Sequence, residues 1–163
     1  MDHAPLRIQE AGPGAMKDIA GLLAESMEEG FRHVGRLAAE YESGTNRFDR
    51  EGEALFFAYD GDQVVGVYGL NRAGEDAGAG RVRRMYVLRA SRRTGVGSAL
   101  LQAVAAKAKG HFSRLELRTD SEAAAAWYEA WGFKVRKDRE DVTHELTLDE
   151  GRLQGGSGSR KQG

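Results

Sequence analysis

The segment Arg92-Arg93-Thr94-Gly95-Val96-Gly97-Ser98 puts two glycines and two guanidinium groups at one expected strand-to-helix junction. The first amides of a helix have no intrahelical partner, and the helix dipole adds partial positive charge at that end. Without a Cβ at Gly95 or Gly97, a phosphate could approach those amides closely. Arg92 and Arg93 add forked donors that match phosphate oxygens. Six arginines lie between positions 81 and 93, in a chain whose 24 basic and 25 acidic residues nearly cancel. The positive charge is therefore local, and a formal net charge of -1 gives no general pull toward nucleic acid or an anionic membrane. On spacing alone, two glycines more often serve only a tight turn. The flanking arginines and the strand-then-helix context shift the reading toward phosphate. The sequence matches neither G-x-x-x-x-G-K-[ST] nor a complete G-x-G-x-x-G, so a P-loop and a dinucleotide fingerprint both fail.

The elements that must hold this junction follow from periodicity. A strand is expected over 6–10, and helices over 16–27 and 29–41, the first carrying Ile19, Leu22, Leu23 and Met27 at helical spacing. Strands at 55–59 and 64–70 flank the turn Asp60-Gly61-Asp62-Gln63. The glycine-rich stretch 73–80 reads as a loop and 81–88 as a strand. A helix over 95–109 then follows, with Val96, Leu100, Val104 and Ala108 in one stripe. A strand at 115–119 precedes a helix at 122–131, stopped by Gly132. Strands at 133–137 and 142–148 close the pattern. One domain over 1–149 is expected, with a disordered tail at 150–163 containing Gly155, Gly156, Ser157, Gly158 and Ser159.

The 163 residues include no cysteine, which removes disulfides, thiolate metal sites and cysteine nucleophiles together. No apolar run approaches the ~20 residues that span a bilayer, and Met1 to Glu10 lack the basic-then-apolar order of a secretory signal. The expectation is a cytoplasmic chain with no membrane or nucleic-acid partner. His3, His33 and His111 have no ligand spacing, so no metal is expected. His144 alternates with Val142, Leu146 and Leu148 and reads as a structural histidine on an apolar strand face. Glu25, Glu28, Glu29 and Glu40 could line an amine-binding mouth, but such runs are more often a solvated helix face.

From Arg84-Met85-Tyr86-Val87, through Arg92-x-x-Gly95-x-Gly97, to Ala99-Leu100-Leu101, the chain resembles the acyl-CoA signature of the GNAT superfamily of N-acetyltransferases. A second stretch, Ala124-Ala125-Ala126-Trp127-Tyr128-Glu129-Ala130-Trp131-Gly132-Phe133, is similar to that family's A-x-x-[FLW]-Y-E-x-x-G-F element. The resemblance implies an α/β (mixed α+β) GNAT-like acyl-CoA N-acyltransferase fold. Its centre would be a mixed, mostly antiparallel twisted sheet of about six to seven strands, flanked by about four helices. It implies acetyl-CoA as co-substrate, an amine acceptor and no metal, and it admits a homodimer.

By the same resemblance, Arg92, Arg93, Thr94, Gly95, Val96, Gly97 and Ser98 would cradle the coenzyme pyrophosphate. Met85, Tyr86 and Val87 would line a splayed strand edge, with the Met85 amide on the thioester carbonyl and the Val87 amide on the pantetheine arm. Tyr128 would protonate the departing thiolate. Ser121 stands where the family often has a cofactor-contacting asparagine. Arg89 and Arg93 replace a common proline and a common glycine, and Arg81 stands where many members carry a glutamate that helps deprotonate the amine. The base is thus unassigned. A catalytically silent acyl-CoA-binding sensor is the alternative to an enzyme, and the acceptor class stays open.

Overall fold

The computed structural model describes residues 6–12, 14–74 and 76–148. The expected tail lies outside them. Strands β1 (Leu6–Glu10), β2 (Ala54–Asp60), β3 (Gln63–Ala73), β4 (Asp76–Val87), β5 (Arg114–Leu117), β6 (Lys134–Val135) and β7 (His144–Thr147) form one sheet in the order β1-β2-β3-β4-β5-β7-β6. Every pairing is antiparallel except β4 with β5. The α-helices are α1 (Ala20–Glu28), α2 (His33–Ser43), α3 (Val96–Lys109) and α4 (Glu122–Trp131). The expected mixed, mostly antiparallel sheet with four flanking helices is therefore present. No helix among the described residues is long and apolar enough to cross a membrane.

Side chains of alternating parity leave the sheet on opposite faces and build two cores. One joins Leu100, Leu101, Val104 and Ala108 of α3 and Tyr128 of α4 to Tyr68, Leu70 and Val82. The other joins Leu22, Val34 and Leu37 of α1 and α2 to Phe57, Val67 and Tyr86. The sheet is thus covered on both faces.

The stretch expected as the loop 73–80 is corrected: only its start turns, and β4 begins at Asp76. Ala79, Gly80 and Arg81 pair with Arg114, Leu115 and Glu116 of β5. Glycine is needed at position 80 for close packing, since a Cβ there would lie 2.8 Å from Phe112 and 2.9 Å from Leu70. The first expected helix opens as a 3-10 turn, Ala15–Ile19, before α1, and the second starts four residues late, at His33. The observed β5, β6 and β7 are shorter than the expected strands. The helix at 122–131 matches its expected bounds, and Gly132 ends it at φ 116°.

Candidate active site

Two residues of β4, Arg84 and Met85, oppose the single Tyr68 of β3, between the pairs Gly69↔Arg83 and Val67↔Tyr86. This is a β-bulge, and Arg84 occupies it at φ 67°, a left-handed conformation that costs a non-glycine residue about 1–2 kcal/mol. The Arg84 guanidinium bonds both carboxylate oxygens of Glu40 on α2, at 3.2 and 3.3 Å, and ties the bulge to that helix. Bulges bend their strand, and here the parallel pairing with β5 stops at Arg81↔Glu116. Past that point β4 has a partner on one edge only among the described residues.

Backbone groups of successive strand residues point alternately to the two neighbours. Leu88 donates to Val65 of β3 at 2.9 Å, so Val87 and Met85 turn their N–H and C=O groups to the open edge. Side chains take both carbonyls: Arg92 Nε donates to Val87 O at 2.9 Å, and His33 Nε2 lies 2.7 Å from Met85 O. The two N–H groups are left at an edge that no strand among the described residues covers.

Beside this edge, Tyr128 of α4 directs its hydroxyl to the Tyr68 hydroxyl, with Met85 Sδ at 3.9 Å. Tyr128 and Tyr68 are 8% and 1% exposed. Burial pushes the Tyr128 hydroxyl up to about 12, partly opposed by the Tyr68 contact, and burial raises Tyr68 further. Both are phenols, not phenolates, at neutral pH. Trp127 and Phe133 hold the Tyr128 ring edge-on, at centroid distances of 5.0 and 5.2 Å.

After Val87 the chain makes a short 3-10 turn, Arg89–Ser91, and enters α3 through Gly95 at φ 92°. The first helical bond is Ala99 N to Gly95 O at 3.0 Å, so the amides of Val96, Gly97 and Ser98 precede the ladder. Nothing lies within 4 Å of where a Cβ on Gly95 would stand. At Gly97, by contrast, a Cβ would lie 2.9 Å from the Met85 side chain and 3.6 Å from Trp127, so that glycine makes room for packing and only Gly95 leaves space at the helix end.

A profile of the acetyltransferase (GNAT) domain matches residues 51–135. A candidate acetyltransferase from Exiguobacterium sp. 255-15 is 32% identical, covering 88% of this chain and 93% of that one at a TM-score of 0.78. The chain belongs to the GNAT acetyltransferase family. A GNAT acetyltransferase from Brucella melitensis, solved with acetyl-CoA, shares the fold at a TM-score of 0.68, with 16% identity over 90% of each chain. A GNAT-family protein from Desulfovibrio desulfuricans does so at 0.70, with 17% identity over 89% of this chain and 100% of that one. No curated protein matches the chain.

Within this GNAT fold the residues marked from sequence fall into four groups. Met85, Val87 and Tyr128 meet at the open edge. Arg93, Thr94, Gly95, Val96, Gly97 and Ser98 surround the α3 N-terminus, and Arg93 has no ion-pair partner among the described residues. Ser121 caps α4, its Oγ accepting from Ala124 N at 3.1 Å, which leaves its hydroxyl proton free to donate.

Arg92 and Tyr86 turn the other way. Arg92 bonds Glu29 at 2.7 Å and lies over the Tyr86 ring, and the Tyr86 hydroxyl donates to Glu25 and Glu29 at 2.8 and 2.7 Å. Hydrogen bonds from Arg92 and then Tyr86 hold Glu29 down to about 2. Glu25 and Glu29 are therefore neither a solvated face nor an open amine mouth; they clamp α1 to the turn that precedes α3. His144 is structural, 4% exposed and 2.9 Å from Glu129.

Sequence reasoning missed Tyr68 and His33. Tyr68 was one aromatic in an alternating strand, and His33 was weighed only as a metal ligand. No spacing rule links either to Met85 or Tyr128.

Proposed function

We propose that this GNAT protein is an N-acetyltransferase that moves an acetyl group from acetyl-CoA directly onto a primary amine within a ternary complex. One juxtaposition carries the reading: a buried, protonated Tyr128 stands beside Met85, whose N–H lies on the unpaired edge of β4. The chain suits the co-substrate. Amides of Val96, Gly97 and Ser98 with the Arg93 guanidinium take the pyrophosphate. The Val87 N–H bonds the pantetheine arm as an added strand would, and Ser121 offers one further donor. When bound, acetyl-CoA supplies an activated acyl group on a thiol leaving group.

The Met85 N–H receives the negative charge that develops on the acyl oxygen, and a preorganised donor of this kind is worth about 2.7–4 kcal/mol. Tyr128 gives its proton to the departing sulfur, as a positioned acid worth about 10²- to 10⁴-fold. Tyr68 hydrogen-bonds that phenol and fixes its direction. The catalytic unit spans 1–149, and the acceptor is a small-molecule amine, a peptide N-terminus or a protein lysine.

Calorimetric titration with acetyl-CoA, beside an Arg93→Ala/Gly97→Asp double variant, tests the reading. Micromolar affinity lost in the variant supports it. Absence of binding by the folded wild-type protein overturns it. Binding without turnover of any amine in a broad panel would instead assign a silent acyl-CoA sensor.

A further inference from the structure

His33 opens α2 and reaches across to the open edge of β4, where its Nε2 meets Met85 O at 2.7 Å. A carbonyl oxygen only accepts, so Nε2 carries the proton and Nδ1 keeps its lone pair. Among the described residues Nδ1 has no hydrogen-bond partner. The ring therefore sits on the residue whose N–H faces the acyl group, with its basic nitrogen free.

The carboxylates around this edge are all engaged. Glu40 is bound by Arg84, Glu29 by Arg92 and Tyr86, and Glu25 by Tyr86 and the Arg89 amide. Glu116 is 0% exposed and ion-paired with Arg81, Arg114 and Arg139, its Oε1 facing Arg81 at 3.6 Å without a hydrogen bond among the described residues. Arg81 itself faces Glu116 and Asp141, at 3.6 and 3.5 Å.

We infer that His33 is the base that deprotonates the acceptor, and that the enzyme accordingly favours weakly basic amines. The inference rests on the acetyltransferase reading above. Nδ1 takes one proton from the acceptor ammonium, and the nitrogen lone pair then forms the C–N bond. The C–S bond breaks, its electron pair leaves on sulfur, and the sulfur takes the Tyr128 proton. The second proton shed by the new amide nitrogen restores Tyr128, while His33 releases its proton to solvent. One proton is released per acetyl group transferred.

The surroundings of His33 keep it neutral. From β4 it faces Arg84, already paired with Glu40 of α2, and the Tyr86 ring at 6.1 Å. Phe31 stands at 5.5 Å, and Glu25 and Glu29 of α1 lie beyond the Tyr86 hydroxyl that they bind. Burial, with a further push from the Arg84 charge, sets the imidazole below its ordinary 6.5, although the Met85 carbonyl opposes this. Taking a proton from a lysine-like ammonium of pKa ~10.4 would then be unfavourable by roughly 10⁴-fold or more. For an α-ammonium near pKa 8 the factor falls to about 30-fold or somewhat more.

The test is the pH profile of kcat/KM for wild-type protein and His33→Gln, with size-matched amines of graded basicity. Glutamine can still donate to Met85 O but cannot titrate. Activity should be lost in the wild type as pH falls through a limb below 6.5, at one position for every amine. His33→Gln should lose that limb and drop kcat about 10²-fold or more while binding acetyl-CoA as before by calorimetry. Unchanged kcat with the limb intact would make His33 only a cap on the Met85 carbonyl, and so would a preference for the most basic amines. Independently of turnover, an imidazole that titrates above pH 7 by NMR would overturn the preference for weakly basic amines. Loss of acetyl-CoA binding by the wild-type protein itself would instead remove the acetyltransferase reading beneath it.

Discussion

Strand β4 has two halves that differ in what their backbone does. Around Ala79–Arg81 its groups pair with β3 on one side and β5 on the other, and Gly80 lets Phe112 and Leu70 close over it. Around Met85–Val87 no strand among the described residues pairs on the β5 side, two carbonyls are held by His33 and Arg92, and two amides are left at the edge. The strained bulge at Arg84 separates the halves. In the proposed reading a single strand thus serves as scaffold and as binding edge, because one extra residue changes its direction. Damage to the first half should register in stability, and damage to the second in chemistry.

The largest effect that would sharpen this contrast is Tyr128→Phe. We expect kcat to fall about 10²- to 10⁴-fold with acetyl-CoA affinity nearly unchanged, measured by steady-state kinetics and calorimetry. About 1–3 kcal/mol of stability should be lost, because the buried Tyr68 hydroxyl is left without its partner. A variant at wild-type rate would break the contrast. The proposed acid must carry its proton, so the contribution of Tyr128 should persist from neutral pH and disappear only as pH rises toward about 12. Ultraviolet titration of the phenols should accordingly show Tyr128 un-ionised at pH 10.

Gly80→Ala addresses the paired half. The added Cβ meets Phe112 and Leu70 below 3 Å, so overpacking should cost about 1–3 kcal/mol of stability. Denaturant melts would read that loss, and kcat of the folded fraction should stay within a few-fold. Selective loss of kcat would contradict the division.

A smaller cost is expected for Tyr86→Phe, which removes the hydroxyl bound by Glu25 and Glu29 but leaves their contacts with Arg89 and Arg92. About 0.5–1.5 kcal/mol should be lost in the same melts, with chemistry intact. The smallest effect belongs to acid. Glu29 is held at about 2 against an ordinary 4.5, so its contribution is fully present above pH 4.5 and fades as pH falls toward 2. Faster amide exchange in α1 over that window would report it; unchanged exchange would show that the clamp does not depend on the Glu29 charge.

Much of this was legible in the chain. The glycine turn, the α3 stripe and Tyr128 before Gly132 are local patterns, and each fell on the element expected of it. The stretch 73–80 was misread because glycine signals a turn and a close approach in the same way; which one operates depends on Phe112, over thirty residues later. Arg92 was read as a phosphate ligand by charge, yet Glu29 claims its side chain from sixty-three residues away.

Local patterns set the order of elements, the glycine turn that opens α3 and the place of Tyr128 on the helix before Gly132. These depend on residues within a few positions of one another, where backbone preference and periodicity act directly. The bulge of β4 opposite Tyr68, the meeting of Tyr68 with Tyr128 and the reach of His33 to Met85 O across fifty-two residues arise from long-range packing. Those contacts depend on register and on helix placement over the sheet, which the whole core sets and no short spacing encodes.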